Sequence, residues 1–301
     1  MPATPLYQLG EDTTLQRLLN QMSAPANGAL LLGPGDDCAI VQRDAEWDTL
    51  LKTDALVEGV HFATDTPPKL IGRKALARAV SDIAAMGGLP EHALVTLFVH
   101  QGRSIEQMEG IYAGMSALAE EYGISLAGGE TSSLPQDGLA ISITLTGKVE
   151  RGNAVLRSGG KPGDALYVSG ALGGSYESGR HLTFTPRVQL AREMLRLGVR
   201  PSAMMDISDG LAVDLPRLAR ASQCSYIIDE TALPCHEGCT PRQALSDGED
   251  YELLLALPPK LARQLPQYEQ LELIHIGELT SGEAHQMAGG WQHFSTPAYT
   301  L

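Results

Sequence analysis

Seven short acidic motifs are spread along the chain, and their residue types are those that hold divalent cations and phosphates. In chain order they are Gly35-Asp36-Asp37, Thr53-Asp54, residues 58–61, Ser81-Asp82, Gly128-Gly129-Glu130-Thr131, Asp206-Ile207-Ser208-Asp209-Gly210 and Asp247-Gly248-Glu249-Asp250. Carboxylate oxygens are the ligands that hard cations such as Mg²⁺ prefer. Because carboxylates alone would repel a polyphosphate, the pattern predicts Mg²⁺ between the protein and a nucleotide. The expected chemistry is phosphoryl transfer.

Each motif taken singly also has an ordinary explanation. Acidic loop residues are common turn formers, and Ser or Asp at the end of an element often only caps a helix. The segment from Asp206 to Gly210 suits a metal and phosphate cradle as well as it suits a helix cap. His61 could touch a substrate phosphate or simply make a hydrogen bond inside a core. The inference therefore depends on the joint occurrence of the motifs.

Composition narrows the class of protein. The chain has 301 residues, of which 43% are hydrophobic and 19% charged, enough for two domains with sizeable cores. The net charge of −14 argues against a nucleic-acid partner, since binding a phosphate backbone needs a basic face. With no apolar run of membrane-spanning length and no signal-peptide pattern in Met1-Pro2-Ala3-Thr4-Pro5, we expect no membrane association and a cytoplasmic location.

Two other kinds of site receive little support. Cys235 and Cys239 flank His236, but no second Cys or His pair lies nearby to complete a tetrahedral zinc site, so ordinary reduced cysteines are favoured. The chain contains neither a Gly-x-x-x-x-Gly-Lys-Ser/Thr loop nor a Gly-x-Gly-x-x-Gly turn. A nucleotide site in this protein must therefore be of another kind.

Strand-like and helix-like runs alternate through both halves, which predicts an α/β or α+β class. Residues 29–32 and 49–51 are expected to be short strands that end at the first acidic motifs, and residues 70–85 a helix carrying Asp82. Residues 124–127 are expected to enter a turn at the Gly-Gly-Glu-Thr motif. A turn-rich bridge at 157–164 predicts two domains, 1–150 and 151–301.

The motifs, in their order, resemble those of one known family. The matching segments are 35–39, 53–62, 80–87, 185–187, 205–211 and 248–254, with Gly290-Trp291-Gln292-His293-Phe294 near the C-terminal end. In these segments the chain resembles the bacterial thiamine-monophosphate kinases, within the aminoimidazole ribonucleotide synthetase superfamily. Val57-Glu58-Gly59-Val60-His61-Phe62 and Gly248-Glu249-Asp250-Tyr251-Glu252-Leu253 favour this family over its synthetase relatives.

The resemblance implies a fold and a reaction. It implies a two-domain aminoimidazole ribonucleotide synthetase-like fold, with an N-terminal ATP- and Mg²⁺-binding α/β domain and a C-terminal α+β domain that completes the active-site cleft. Strands of the N-terminal domain would form a barrel across a homodimer. The implied reaction is direct transfer of the ATP γ-phosphoryl group to thiamine monophosphate, giving thiamine diphosphate and ADP, with several Mg²⁺ ions per site.

The resemblance also implies roles for individual residues. Asp54 and Asp209 would be catalytic, and Mg²⁺ would be held by Asp37, Thr53, Asp54, Asp82, Glu130, Asp206 and Asp209. ATP would be contacted by Tyr112, Gly129, Glu130, Arg157 and Ser208. Thiamine monophosphate would be contacted by His61, Glu249 and Trp291, and an aromatic face such as that of Trp291 suits a pyrimidine or a cationic thiazolium.

Three features depart from the family pattern. Glu130 stands where Asp or Asn is more familiar, Lys52 stands where Ser or Thr often adds a hydroxyl, and the segment 234–248 is short. Two alternatives stay open, and Glu130 and Lys52 suggest the second of them. One is another ATP-dependent member of the superfamily with a different small acceptor, and the other is a non-catalytic protein that binds nucleotide or thiamine phosphate.

Overall fold

The computed structural model describes residues 4–22 and 28–291. The strands are β1 Leu30–Leu32, β2 Ala39–Gln42, β3 Trp47–Val57, β4 Leu89–His100, β5 Ser125–Leu134, β6 Leu139–Glu150, β7 Ala165–Val168, β8 Ala203–Asp206, β9 Ser225–Ile228, β10 Leu253–Leu257 and β11 Ile274–Thr280. The α-helices are α1 Gly10–Leu19, α2 Pro68–Ala85, α3 Ile105–Tyr122, α4 Val188–Arg196, α5 Leu211–Ala221, α6 Pro241–Ser246 and α7 Pro259–Gln264. Short 3-10 turns occupy Leu6–Gln8, Arg180–Leu182, Glu230–Ala232, Leu265–Gln267 and Glu269–Leu271.

The first half forms a six-stranded sheet in the order β1-β2-β3-β6-β4-β5. Its neighbouring strands are antiparallel except β4 and β5, which run parallel. Buried and less buried residues alternate along β6, as the period of a strand with one covered face requires. The covered face packs on α2 and α3, with Ile141, Ile143 and Leu145 in the same core as Leu76 and Ile83. The opposite face, which carries Leu51, Thr53, Val57 and Leu94, is exposed as far as residues 4–22 and 28–291 show, and we call it the open face.

The second half forms a five-stranded antiparallel sheet in the order β8-β10-β7-β11-β9. Helix α5 covers one face, and α4 together with the end of α2 covers the other. Because both faces are covered, the central strand β10 is buried at every position and reads as the continuous apolar run Leu-Leu-Leu-Ala-Leu. Both sheets are open, with two edge strands each.

Helix α2 lies between the two halves of the molecule. It packs on α3, β3 and β6 of the first half and on α4 and β8 of the second. Most of its circumference is therefore buried, including the polar residues Lys74, Ser81 and Asp82. The helix predicted over residues 70–85 is confirmed, and its central position explains why polar side chains in it lie inside the protein.

Two sequence-based expectations about local structure were wrong. Strand β3 continues to Val57, so Thr53 and Asp54 lie within a strand and not in a loop after residues 49–51. Strand β5 runs through the Gly-Gly-Glu-Thr motif, which was expected to be a turn. In both places main-chain pairing with a neighbour maintains the strand: β3 pairs with β6 along its whole length, and β5 pairs with β4. That pairing is a long-range property that local periodicity does not reveal.

In the described part of the chain, no helix combines the length and the apolar character needed to cross a bilayer. Gln292, His293 and Phe294 of the matched C-terminal segment lie outside the described residues.

Candidate active site

Three buried carboxylates meet at the junction of the two halves. Asp37 lies in the loop between β1 and β2, Asp82 in the last turn of α2, and Asp206 at the end of β8. One oxygen of each lies within 4.8 Å of the others, and their exposed fractions are 3%, 7% and 3%. The structure thus brings together residues that are far apart in the chain, with 169 positions between Asp37 and Asp206. We call these three residues the carboxylate cluster.

Two side-chain cations lie against the carboxylate cluster. The ammonium of Lys52 is 2.7 Å from Oδ1 of Asp82, and Nε of Arg157 donates to Oδ1 of Asp37 at 3.1 Å. Burial lowers the pKa of Lys52, but the charges of Asp82 and Asp54 outweigh it and hold that pKa above its ordinary value. Both cations therefore remain charged near neutral pH and offset part of the negative charge of the cluster.

The protonation of Asp206 reflects its neighbours. Burial, followed by the charge of Asp37, raises the pKa of Asp206 to about 6, while a hydrogen bond from Ser81 opposes the rise. The pKa of Asp82 is also raised by burial, against the charge of Lys52. Carboxylates that resist ionisation when close together are stabilised as anions by a bound cation.

The donors of the carboxylate cluster fit a hard divalent cation. All three are oxygen ligands, and Oδ2 of Asp37 is buried with no hydrogen-bond partner among the described residues. A buried polar atom without a partner is uncommon, and a bound cation would satisfy this oxygen. This orphaned oxygen is the observation of the structure that supports a metal at the cluster. Across residues 4–22 and 28–291, no other group of three His, Cys, Asp or Glu donors has metal-binding geometry.

The other aspartate of the first motif has a structural role. Asp36 accepts the N–H of Asp37 at 3.0 Å through Oδ1 and the N–H of Arg157 at 3.0 Å through Oδ2. Burial and the charge of Asp37 raise its pKa to about 6. Asp36 thereby ties the loop of the first sheet to the segment that enters the second half, and this orients Asp37 and Arg157 toward each other.

A cavity of about 480 Å³ opens beside the carboxylate cluster. Its wall includes Lys52, Arg78, Asp82, Arg157, Asp206, Ser208, Asp209, Arg217 and Arg220. Acidic and basic groups therefore share the wall of one cavity. Such a wall suits an anionic ligand that arrives with divalent cations.

Asp54 and Asp209 lie near this cavity, each paired with an arginine. Oδ1 of Asp54 is 3.3 Å from Nη2 of Arg78, and Nη1 of the same arginine donates to the carbonyl of Ala55 at 2.6 Å. Asp209 forms an ion pair with Arg217. Neither aspartate belongs to the carboxylate cluster, although both were predicted from the sequence to share its metal ions.

The loop that carries Ser208 and Asp209 is organised by a residue that the sequence did not single out. Asp214 of α5 is completely buried and accepts the N–H groups of Ser208 and Asp209, both at 3.0 Å. Burial, followed by the charge of Asp209, raises the pKa of Asp214 to about 8, while Arg217 opposes the rise. Ordered in this way, the loop presents Ser208 at the cavity wall.

Thr53 and Glu130 lie on the open face of the first sheet. Side chains alternate along β3, so Thr53 points away from the face that carries Lys52 and Asp54. Glu130 on β5 pairs with Thr96, which belongs to the same open face. Strand β5 is three strands away from β3, roughly 14 Å at the usual strand spacing. The single chain therefore does not bring Thr53 or Glu130 to the carboxylate cluster.

Tyr112, Gly129 and Glu130 border a second groove of about 490 Å³ between α3 and β5. Gly129 has a structural reason to be glycine, because a Cβ there would lie 1.8 Å from the carbonyl oxygen of Val95 on β4. Of the five residues expected to contact ATP, these three lie at this groove and Arg157 and Ser208 lie at the cavity.

The three residues expected to meet thiamine monophosphate surround a buried polar network. The ammonium of Lys74, a completely buried residue, donates to the carbonyl of His61 at 2.6 Å, contacts Nδ1 of His181 at 2.7 Å and pairs with Glu249. The ring of Trp291 lies 6.0 Å from the ring of His61, with 52° between their planes. His61, Glu249 and Trp291 are thus brought together, through Lys74 and His181.

Charge in this network is set by burial and close partners. Burial lowers the pKa of Lys74 to about 8, against the charge of Glu249. Burial would raise the pKa of Glu249, but His181, Lys74 and Arg78 lower it to about 2. Burial and the charge of Arg78 lower the pKa of His61 to about 3. At neutral pH the network therefore holds an ionised Glu249 and a neutral His61.

Comparison with known proteins identifies the family of the chain. Residues 35–149 match the model of the AIR synthase related protein, N-terminal domain, and residues 161–289 match that of the C-terminal domain. The thiamine-monophosphate kinase of Rhodopirellula baltica is 39% identical over 250 residues, which cover 77% of each chain. The chain belongs to the thiamine-monophosphate kinase family. The Bacillus subtilis member of the family is 36% identical over 250 residues, 74% of this chain and 76% of its own.

A solved structure of the family has the same fold. The protein described as AaThiL complexed with AMPPCP and TMP superposes with a TM-score of 0.85 at 30% identity, over 97% of this chain and all of the other. The two-domain α/β fold expected from the resemblance is thereby confirmed at the level of the single chain.

In this member of the thiamine-monophosphate kinase family, the sequence-based prediction of site residues missed several polar side chains. They are Lys74, Arg78, His181, Asp214 and Arg217. A local signal exists for Lys74 and Arg78, since both are basic residues in a helical stretch that is rich in apolar residues. Nothing local marks His181 or Asp214, because their role follows from contacts with distant parts of the chain.

Proposed function

We propose that this protein is a thiamine-monophosphate kinase that transfers the γ-phosphoryl group of ATP to thiamine monophosphate, giving thiamine diphosphate and ADP. The observation that carries the proposal is the convergence of Asp37, Asp82 and Asp206 at a cavity whose wall also bears Lys52 and Arg157. A site of this kind neutralises two anionic reactants. Membership of the kinase family supports the same reaction.

Asp37, Asp82 and Asp206 would hold Mg²⁺, with Asp54 and Asp209 close enough to the cavity to contribute. When bound there, Mg²⁺ supplies positive charge that offsets the repulsion between the two phosphate-bearing reactants. The orphaned Oδ2 of Asp37 supports this assignment. The assignment of Thr53 and Glu130 as further ligands is also a proposal, and it requires contacts beyond those of the single chain, because both side chains lie on the open face.

The chain's own residues would bind and orient the nucleotide phosphates. Arg157 and Ser208 lie at the wall of the cavity, and the buried carboxylate of Asp214 orients the amides of Ser208 and Asp209. Tyr112, Gly129 and Glu130 are proposed as further ATP contacts at the groove beside β5. Positioning and charge compensation would supply most of the acceleration, as in other phosphoryl transfers.

The acceptor needs little activation. Its phosphate is largely ionised near neutral pH, since the second pKa of a phosphate monoester is near 6. A phosphate oxygen can therefore attack the γ-phosphorus in line without a strong general base. His61, Glu249 and Trp291 would bind thiamine monophosphate. The ionised Glu249 is suited to the cationic thiazolium, and Trp291 offers an aromatic face.

We also propose that two copies form a homodimer through the open face of the first sheet. This face exposes Leu51, Val57 and Leu94, whose exposed fractions are 39%, 37% and 48%. A barrel completed by the strands of a second copy would cover these side chains and Thr53. We further propose that the chain divides into domains at 1–150 and 151–301. The proposed location is the cytoplasm, where ATP is available.

A direct assay tests the reaction. Purified protein with ATP, Mg²⁺ and thiamine monophosphate is expected to form thiamine diphosphate, detected by chromatography. ATP turnover only with another small acceptor would favour a different member of the superfamily. Mg²⁺-dependent binding of both ligands by calorimetry, without product after long incubation, would favour a non-catalytic binding protein.

A further inference from the structure

We propose that Lys52 is a tethered cation of the carboxylate cluster, which takes the place that a further divalent ion would otherwise occupy at Oδ1 of Asp82. The proposal rests on the proposed function, since it assigns a role to Lys52 within the metal-binding site of the kinase. It concerns how many divalent ions the cluster holds and how tightly it holds them.

The position of the Lys52 ammonium is set by the sheet. Lys52 lies in the middle of β3, where the neighbouring residue Leu51 pairs with Ala39 of β2 and Lys52 itself pairs with Leu145 of β6. Its side chain is 21% exposed and points toward the face covered by α2, where Nζ is 2.7 Å from Oδ1 of Asp82. Lys52 is therefore a fixed part of the cavity wall, because the sheet and Asp82 hold its side chain in place.

The two cations of the cluster act on different carboxylates. Arg157 binds Oδ1 of Asp37 and leaves Oδ2 of that residue without a partner among the described residues. Lys52 instead donates to Oδ1 of Asp82. A divalent ion can therefore approach Asp37 and Asp206, while the approach to Oδ1 of Asp82 is taken by an ammonium.

An ammonium cannot coordinate a metal ion, whereas the oxygen of a hydroxyl can. It has three donors and no lone pair, so it cannot be a ligand, and its charge repels a divalent ion a few ångströms away. When all three carboxylates are ionised they carry three negative charges, and Lys52 and Arg157 compensate two of them. With a hydroxyl at position 52, Arg157 would be the remaining cation of the two, and Oδ1 of Asp82 would be open to a further metal ion. We infer that Lys52 supplies a positive charge whose presence does not depend on the concentration of Mg²⁺.

Binding of Mn²⁺ to the whole protein, without ATP or thiamine monophosphate, tests this role. Free Mn²⁺ is counted by electron paramagnetic resonance during titration of the wild type and of Lys52→Ser. We expect Lys52→Ser to bind one more Mn²⁺ per chain, or to bind Mn²⁺ roughly tenfold more tightly or better, because a nearby repelling charge is removed. Unchanged or weaker Mn²⁺ binding would overturn the proposal.

The matched control is Lys148→Ser, which removes the same charge from the same sheet. Lys148 is 3.3 Å from Glu91, with 33% of its side chain exposed, and it is not part of the cavity wall. We expect its Mn²⁺ binding to equal that of the wild type. An equal gain in both variants would show that only the net charge matters, and it would also overturn the assignment.

Removal of Lys52 leaves Asp82 unpaired and lowers the stability of the metal-free protein. If Lys52→Ser does not fold, the titration is repeated with Lys52→Gln, whose amide can still donate to Asp82. Thermal unfolding gives a second readout, because Mn²⁺ should raise the Tm of either neutral variant more than that of the wild type. An equal or smaller rise would contradict the proposal. Since no substrate is present, these results are independent of whether the kinase assay succeeds.

Discussion

The hydroxyl of Ser81 donates a 2.6 Å hydrogen bond to Oδ2 of Asp206, and both residues are buried. Ser81 belongs to helix α2 of the first half, and Asp206 ends strand β8 of the second. The bond therefore crosses the junction of the halves at the position where Asp82 adds its own carboxylate. The carboxylate cluster exists only when the two halves are docked, because neither half alone contains all of its members.

Neutralising Asp54 or Asp209 is expected to slow the reaction without unfolding the protein. Each carboxylate pairs with an arginine beside the cavity, and Asn keeps nearly the same shape while removing the charge. We expect Asp54→Asn and Asp209→Asn to lower kcat by about 10²- to 10³-fold, as loss of an electrostatic group at a reaction centre does. Steady-state kinetics of thiamine diphosphate formation, with circular dichroism as the check on folding, measures this effect. Glu193→Gln, on the outer surface of α4, is the control, and wild-type turnover in either Asn variant would refute the assignment.

Removing the buried ammonium of Lys74 is expected to impair both stability and substrate binding. Lys74→Met leaves Glu249 without its buried ion-pair partner, and breaking such a pair costs about 3–5 kcal/mol. We also expect a higher KM for thiamine monophosphate, since Glu249 and His61 would lose their fixed positions. Urea denaturation and substrate titration measure the two effects.

Lys69→Met is the matched control for Lys74, because Lys69 is exposed on the same helix. It should resemble the wild type in both measurements. A Lys74→Met protein with unchanged stability would show that the network does not hold the ionised Glu249.

Asp250 is expected to make folding stability depend on pH. Burial raises the pKa of Asp250 to about 7 from an ordinary value of 3.8, although the N–H of Gly173 donates to its carboxylate at 3.0 Å. The unfolded chain releases this proton near pH 4, and the folded protein retains it until about pH 7. The contribution of Asp250 to stability is therefore complete below pH 4 and is lost as pH rises through 7.

Urea denaturation of the wild type and of Asp250→Asn, from pH 4 to pH 8, measures this contribution. The Asn variant cannot ionise, so its free energy of unfolding should rise relative to the wild type as pH increases across that range. A constant difference between the two proteins would mean that Asp250 does not titrate in this window.

The open face of the first sheet is expected to mediate self-association. Leu94→Asp places a charge in the middle of this face, where Leu94 is 48% exposed in the single chain. If a second copy covers the face, burying an unpaired carboxylate is unfavourable and the variant should be monomeric. Analytical ultracentrifugation measures the mass. Ile227→Asp, at a 61% exposed position on β9 of the second sheet, should leave the association state unchanged. A dimeric Leu94→Asp protein would contradict the proposed interface.

Part of the candidate site was predictable from the sequence, and part was not. Asp37, Asp82 and Asp206 were recognised as chemical groups because each lies in a short polar motif beside an apolar run, and the structure brings them together. Thr53 and Glu130 were grouped with them, but strand order and side-chain alternation put both on the open face. Sheet order depends on pairing between segments that are far apart in the chain, and no local pattern encodes it directly.

The amino-acid sequence alone specifies which chemical groups are available. Its acidic motifs specify oxygen ligands, its apolar periodicity specifies the helix that carries Asp82, and its ordered motifs specify the family. Which charges neutralise one another, such as Lys52 with Asp82 and Lys74 with Glu249, is known only from the folded chain. An electrostatic interaction depends on distance and burial, and both are set when α2 is enclosed between the two halves.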